Sequence, residues 1–206
     1  HGVSYNQFGQ LRNSFVNSLS TMDAMGSFSL LGRTQWMGVD GAPNSIWATG
    51  NMTIAPISIT AGFDAKHASI GVSKETEVTV YAAKAVQLTS DEYISLSMGG
   101  GFINYQGNYS QLDGADPAFS EDVRQTKGSL SISTSYYKRG RYYAGVSMPR
   151  FTLGKKNNQE YEFRNVFYIT GGALFELDES FHLRPSLLVG HMDDMGARYD
   201  VSVLLF

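Results

Sequence analysis

Polar and apolar residues alternate singly along most of this chain, the period of extended strands with two unlike faces. Over Gly128–Tyr137, Leu130, Ile132, Thr134 and Tyr136 fall on one face and Ser129, Ser131, Ser133 and Ser135 on the other. In Glu92–Met98, Ile94, Leu96 and Met98 alternate with Tyr93, Ser95 and Ser97, and in Glu75–Tyr81, Val78 and Val80 alternate with Glu77 and Thr79. Comparable windows run over Gly26–Trp36, Ser45–Ile54, Ile57–Phe63, Arg141–Met148, Asn165–Leu177, His182–Val189 and Arg198–Phe206. About ten strands are therefore predicted, most near the length of roughly 9–11 residues that a tilted membrane strand requires.

The connections alternate in length. Thr89–Asp91, Arg139–Gly140 and Asp178–Ser180 carry turn chemistry, whereas 106–125 and 154–160 are longer. Short turns on one rim and long loops on the other are the organisation of membrane barrels. Soluble sandwiches and lipocalin-type barrels also alternate. Long strands, an inward face of Ser, Thr, Gln and Asn, and tyrosines near strand ends favour the membrane form. Tyr136, Tyr137, Tyr142 and Tyr143 flank one turn and are expected in an interfacial girdle. Gly99–Gly101 inside a strand predict a bend or a close approach of backbones.

Composition narrows the function. The longest apolar runs, such as Val203–Phe206, are far shorter than the roughly 20 residues of a membrane helix, so lipid contact falls to strands. The 206 residues suit a single barrel domain, and 22 Gly against 5 Pro suits strands and turns. With no cysteine, thiolate metal sites and cysteine nucleophiles are excluded. A net charge of −3, with scattered basic residues, argues against nucleic acid as a partner. The chain opens at His1 without an initiator Met, as expected of a processed N-terminus.

Catalytic constellations are scarce. His1, His67, His182 and His191 are far apart, and His191 beside Asp193 and Asp194 reads as a solvated rim. Gly145–Pro149 begins like a nucleophile elbow but lacks its last glycine and lies at a strand end. No phosphate loop is present, and no cofactor, metal or enzymatic activity is expected. The acidic loop with Asp113, Asp116, Pro117 and Phe119 lacks a calcium-loop pattern and reads as a partner-docking loop. In Arg33–Pro43, an Arg, a Gln and a Trp precede a tight Gly-x-x-Gly-Ala-Pro turn. Trp36 would anchor a strand end at the interface. Alternation would turn Arg33 and Gln35 into the lumen, where they could join a network fixing a plug or partner segment.

At this segment the chain resembles the PorP/SprF family of the type IX secretion system of Bacteroidota. The family's Arg-x-Gln-Trp-x-Gly-x-x-Gly-Ala-Pro signature is matched by Arg33, Gln35, Trp36, Gly38, Gly41, Ala42 and Pro43. Then follow, in the same order, the Asp-x-x-Asp-Pro-x-Phe loop at Asp113–Phe119, Gly-x-Ser-x-Pro ending at Pro149, and Leu-x-Pro-Ser-x-Leu with Pro185 and Ser186. An early Asn-Pro-Ala element of the family is replaced by Asn17–Ser18–Leu19. The resemblance implies an all-β, antiparallel up-and-down barrel in the outer membrane. It also implies that C-terminal strands are missing and that the barrel does not close within these residues. It further implies a non-catalytic role in exporting or anchoring a secreted surface protein with a type-B C-terminal domain. Other components of the secretion system, periplasmic or lipoprotein, and outer-membrane lipid would be partners. A passive porin-like channel is the alternative.

Overall fold

The computed structural model describes residues 8–23, 25–36, 38–111, 122–152, 165–178, 181–192 and 196–205. Alternation becomes one antiparallel sheet of eleven strands. They are β1 (Gly26–Thr34), β2 (Asn44–Ile54), β3 (Ile59–Ile70), β4 (Ser73–Gln87), β5 (Glu92–Gly107) and β6 (Val123–Lys138). β7 (Tyr142–Thr152), β8 (Val166–Ala173), β9 (Phe175–Asp178), β10 (Phe181–Met192) and β11 (Gly196–Leu205) complete it. Each strand pairs with its sequence neighbour, except that β8 and β9 both pair with β10. The predicted Asn165–Leu177 strand is thus divided in two. The break at Leu174 lies opposite Arg184–Pro185, where proline offers no N–H to the ladder. The sheet does not close: β1 and β11 are its edges and are not paired with each other.

The sheet wears its apolar side outward. Leu130 and Ile132 are each 47% exposed, while Ser129, Ser131, Ser133 and Ser135 beside them are buried. Ile94, Leu96 and Met98 are likewise exposed between buried Ser95 and Ser97. In water this arrangement would be inverted; in hydrocarbon it is the stable one. On β5 the outward apolar residues run from Ile94 to Phe102. At a rise of about 3.4 Å per residue and a tilt near 40°, that stretch spans roughly 21 Å, close to the ~25 Å apolar band of membrane barrels. Among the described residues no helix is long and apolar enough to cross a membrane.

Gly99 and Gly101 lie where backbones approach closely, as expected. A Cβ on Gly101 would collide with the Val78 carbonyl oxygen, and one on Gly99 would stand 2.5 Å from that of Val80. Tyr81, Tyr143 and Tyr168 lay their rings over Gly62, Gly172 and Gly190, their partners on the next strand. The interior is thereby filled by aromatic rings without pushing strands apart. The expected tyrosine girdle needs correction. Tyr136 and Tyr142 face outward, 6.0 Å apart, but Tyr137 is fully buried and Tyr143 packs into the inner cluster. Adjacent residues of a strand point to opposite faces, so of two consecutive tyrosines only one can belong to a girdle.

Candidate functional site in the lumen

The concave inner face is occupied by the chain's own N-terminal segment. A helix α1 (Phe8–Phe15) and a 3-10 helix over Asn17–Met22 lie against it, with Val16 and Leu19 fully buried. Phe15 meets Trp47 of β2 edge-on at 5.3 Å and Tyr168 of β8 at 5.1 Å, and Leu188 of β10 joins the same cluster. Strands far apart in the sheet therefore converge on one ring.

Polar contacts fix the segment's register. The Ser18 backbone N–H donates to Ser133 Oγ at 2.8 Å, and Ser147 Oγ donates to the Phe15 carbonyl at 2.5 Å. The small serines of β5, β6 and β7 let a backbone lie close to the wall. Asp64 of β3 accepts from Trp47 Nε1 at 2.9 Å and from Asn17 Nδ2 at 3.2 Å. Lys66 Nζ stands 4.4 Å above the Trp47 ring. Arg150 lies between Glu75 (3.4 Å) and Glu77 (3.5 Å). Arg150 is thus ion-paired, and Lys66 faces the Asp64 and Glu77 carboxylates around a common cavity. Between them and the plug, Ser14, Asn17, Asp64, Lys66, Glu77, Thr79 and Pro149 line a cavity of about 10 Å³, room for about one water molecule.

Asp23 closes the segment at its far end. Its carboxylate accepts from Arg12 (3.2 Å), Asn13 (2.6 Å), Ser27 (3.0 Å) and Asn51 (3.3 Å). Thr21 and Tyr137 share a hydroxyl contact at 3.1 Å. Asp23 and Asp64 carry no motif that singles them out in the sequence. Their signal is only parity for Asp64, a carboxylate on the inward face of a strand.

The Arg33–Pro43 segment takes a different place. Arg33 and Gln35 are half-buried on the inward side, in phase with Leu31. Trp36 is 71% exposed, in the left-handed region at φ 53°, and Gly38 and Gly41 follow at φ 90° and 75°. The Gln35 N–H donates to the Pro43 carbonyl, closing the loop, and the Gly71 N–H donates to Gly41 O at 2.8 Å. A Cβ on Gly41 would stand 3.1 Å from Gly71 Cα. The two glycines thus let this loop dock on the β3–β4 turn, and Ala42 sits half-buried beneath it.

Pro149 occupies an irregularity of β7, where pairing to β8 shifts between Ser147 and Arg150. Ser186 is buried on the inner face next to Pro185. Asp113, Asp116, Pro117 and Phe119 lie outside the described residues, as do 154–160 and 193–194. At the root of the 108–122 connection, Ser110 donates to Asp122 Oδ1 through its hydroxyl (2.9 Å) and backbone N–H (3.2 Å).

Residues 3–206 match the model of the type IX secretion system membrane protein PorP/SprF family. The chain belongs to that family. No curated protein matches it. As a PorP/SprF member it is a membrane component of a secretion system, which implies other components of that system as partners. Its β-rich fold with an apolar exterior suggests the outer membrane.

Proposed function

We propose that this PorP/SprF chain is a non-catalytic outer-membrane barrel that assists export or surface anchoring of a secreted partner, such as an adhesin with a type-B C-terminal domain. The observation that carries this reading is the occupied lumen. Residues 12–23 fill the inner face with packed side chains and are tied to the strands through Asn17 Nδ2, the Ser18 N–H and the Phe15 carbonyl, which suits a barrel that works by holding a partner rather than by passing solutes. Ser147, the serine of the elbow-like motif, has its hydroxyl proton committed to the Phe15 carbonyl, which supports a structural use of that serine. The candidate docking residues are Asp113, Asp116, Pro117 and Phe119, on the connection that leaves β5 and enters β6.

The short connections β2–β3, β4–β5 and β6–β7 share a rim with the entry into β1, and the long 108–122 and 153–165 connections share the other. By the usual organisation of such barrels, the first rim faces the periplasm and the second the exterior. The test is affinity purification of the full-length protein from native outer membranes. A secreted surface protein or a secretion component is expected in stoichiometric amount. Recovery of the barrel alone, together with ion conduction in planar bilayers, would support the porin alternative instead.

A further inference from the structure

The three longest strands outlast the apolar band. On the outward face of β4, β5 and β6, the row Val78–Phe102–Gly128 is the last apolar one toward the long-loop rim. Above it the register aligns His67, Thr76, Asn104 and Thr126, one on each of β3 to β6. His67 bonds Thr76 at 2.8 Å and Asn104 donates to Thr126 at 2.7 Å. Above that row again, Lys74, Gln106 and Arg124 stand side by side. Lys74 and Arg124 are exposed, and among the described residues neither forms an ion pair. The nearby Asp122 carboxylate is engaged by Ser110.

Two residues along a tilted strand raise the chain by about 5 Å, so the cationic row stands roughly 10 Å above the last apolar row. Centred in a hydrocarbon core about 30 Å thick, the roughly 21 Å apolar stretch ends about 4–5 Å inside the core's edge, which sets the cationic row about 6 Å outside it, within a headgroup layer of about 5–8 Å. Neighbouring strands lie about 4.8 Å apart, which sets Lys74 and Arg124 about 10 Å from each other across Gln106. Both side chains are long enough to converge on one phosphate, and their stems can lie along the strand while the charged heads meet it.

We propose that Lys74, Gln106 and Arg124 form a binding site for the phosphate headgroup of a phosphorylated glycolipid in the outer leaflet. Two features of the row select lipid over a protein occupant. The row continues the lipid-facing wall without a break, and its cations complement a headgroup phosphate at the depth where that group lies. The proposal rests on setting the long-loop rim at the exterior.

The test uses full-length protein inserted into phosphatidylcholine vesicles doped with bisphosphorylated lipid A or with its dephosphorylated form. Retained lipid is counted by native mass spectrometry, and insertion is checked by heat-modifiable migration. Wild type is expected to retain the phosphorylated form preferentially, even against excess inorganic phosphate. The double variant K74Q/R124Q is expected to bind it roughly thirtyfold more weakly, while K74R/R124K keeps it. Should the double variant misfold, K74Q alone is expected to weaken retention about fivefold. Equal retention of both lipids, release by inorganic phosphate, or undiminished binding by the folded Gln variants would overturn the proposal. So would capture of a protein that is lost in K74Q/R124Q while lipid retention is unchanged. Failure to insert into either vesicle would overturn the membrane placement itself.

Discussion

A single carboxylate ties three parts of the interior together. Asp64 receives the Trp47 indole and the Asn17 amide, and Lys66 stands beside it over the same indole. Asp64→Ala would take an acceptor from the buried Trp47 and Asn17 donors and remove one of the two carboxylates that face Lys66, at a cost of about 2–5 kcal/mol. Urea unfolding of the folded barrel measures the loss, and hydrogen exchange should show residues 12–23 losing protection first. Glycine offers a sharper contrast within one strand. Gly101→Ala drives a methyl into the Val78 carbonyl and should cost about 1–3 kcal/mol. Gly100→Ala meets nothing nearer than 3.7 Å and should fall within about 0.5 kcal/mol of wild type. The triplet Gly99–Gly101 announced a close approach from sequence alone, because glycine has few other reasons to interrupt a strand. Which of the three carries it was not legible, since that depends on the register against β4.

Elements were read well wherever one face met lipid and the other did not. Windows such as Gly128–Tyr137 became strands with the predicted faces because a period of two is local and survives any tertiary arrangement. Strand ends were read short: β4, β5 and β6 run to 15, 16 and 16 residues. Their extra turns of strand carry Thr, Asn, Gln and charged residues outward and so lack the alternation that marked the rest. Replacing Leu130 or Ile132 by Arg should cost about 2–4 kcal/mol and impair assembly, because both point into the apolar band. Heat-modifiable migration reads this out, and variants that insert and migrate as wild type would refute the facing assignment. On the short-turn rim, Lys138 bonds Asp91 at 3.1 Å and holds its carboxyl below the usual carboxylate range. A lowered folded pKa means the tie is intact at neutral pH and lost only as the pH falls through that lowered value. A carboxyl NMR titration of Asp91 should therefore show a midpoint below that of a free aspartate, and one moved upward in Lys138→Met, where only the Ser90 and Thr89 hydroxyls still lower it.

At the scale of the molecule, the family signature and the barrel class were legible, and the plug was not. Phe15, Val16 and Leu19 lack the alternation of a strand, and their helix is too short to announce itself. Their partners Asp64, Ser133 and Ser147 come from strands tens of residues away and meet only when the sheet curls. Sequence placed Asn17–Ser18–Leu19 as a departure from the family pattern, and the fold puts those three residues at the middle of the lumen. The signature from Arg33 to Pro43 shapes a rim loop, with Trp36 held outward, while the plug is gripped by Ser147 and Leu188 of the two later motifs together with Trp47, Asp64 and Ser133, which lie in no motif. The chain's own N-terminal segment fills the inner face, and the proposed partner-holding role requires that this lumen carry no current. Planar-bilayer conductance of the full-length protein tests it most directly. Wild type should give no channel steps, and Asp23→Ala with Asp64→Ala should produce them by releasing residues 12–23. A steady wild-type conductance, unchanged in that double variant, would contradict the account.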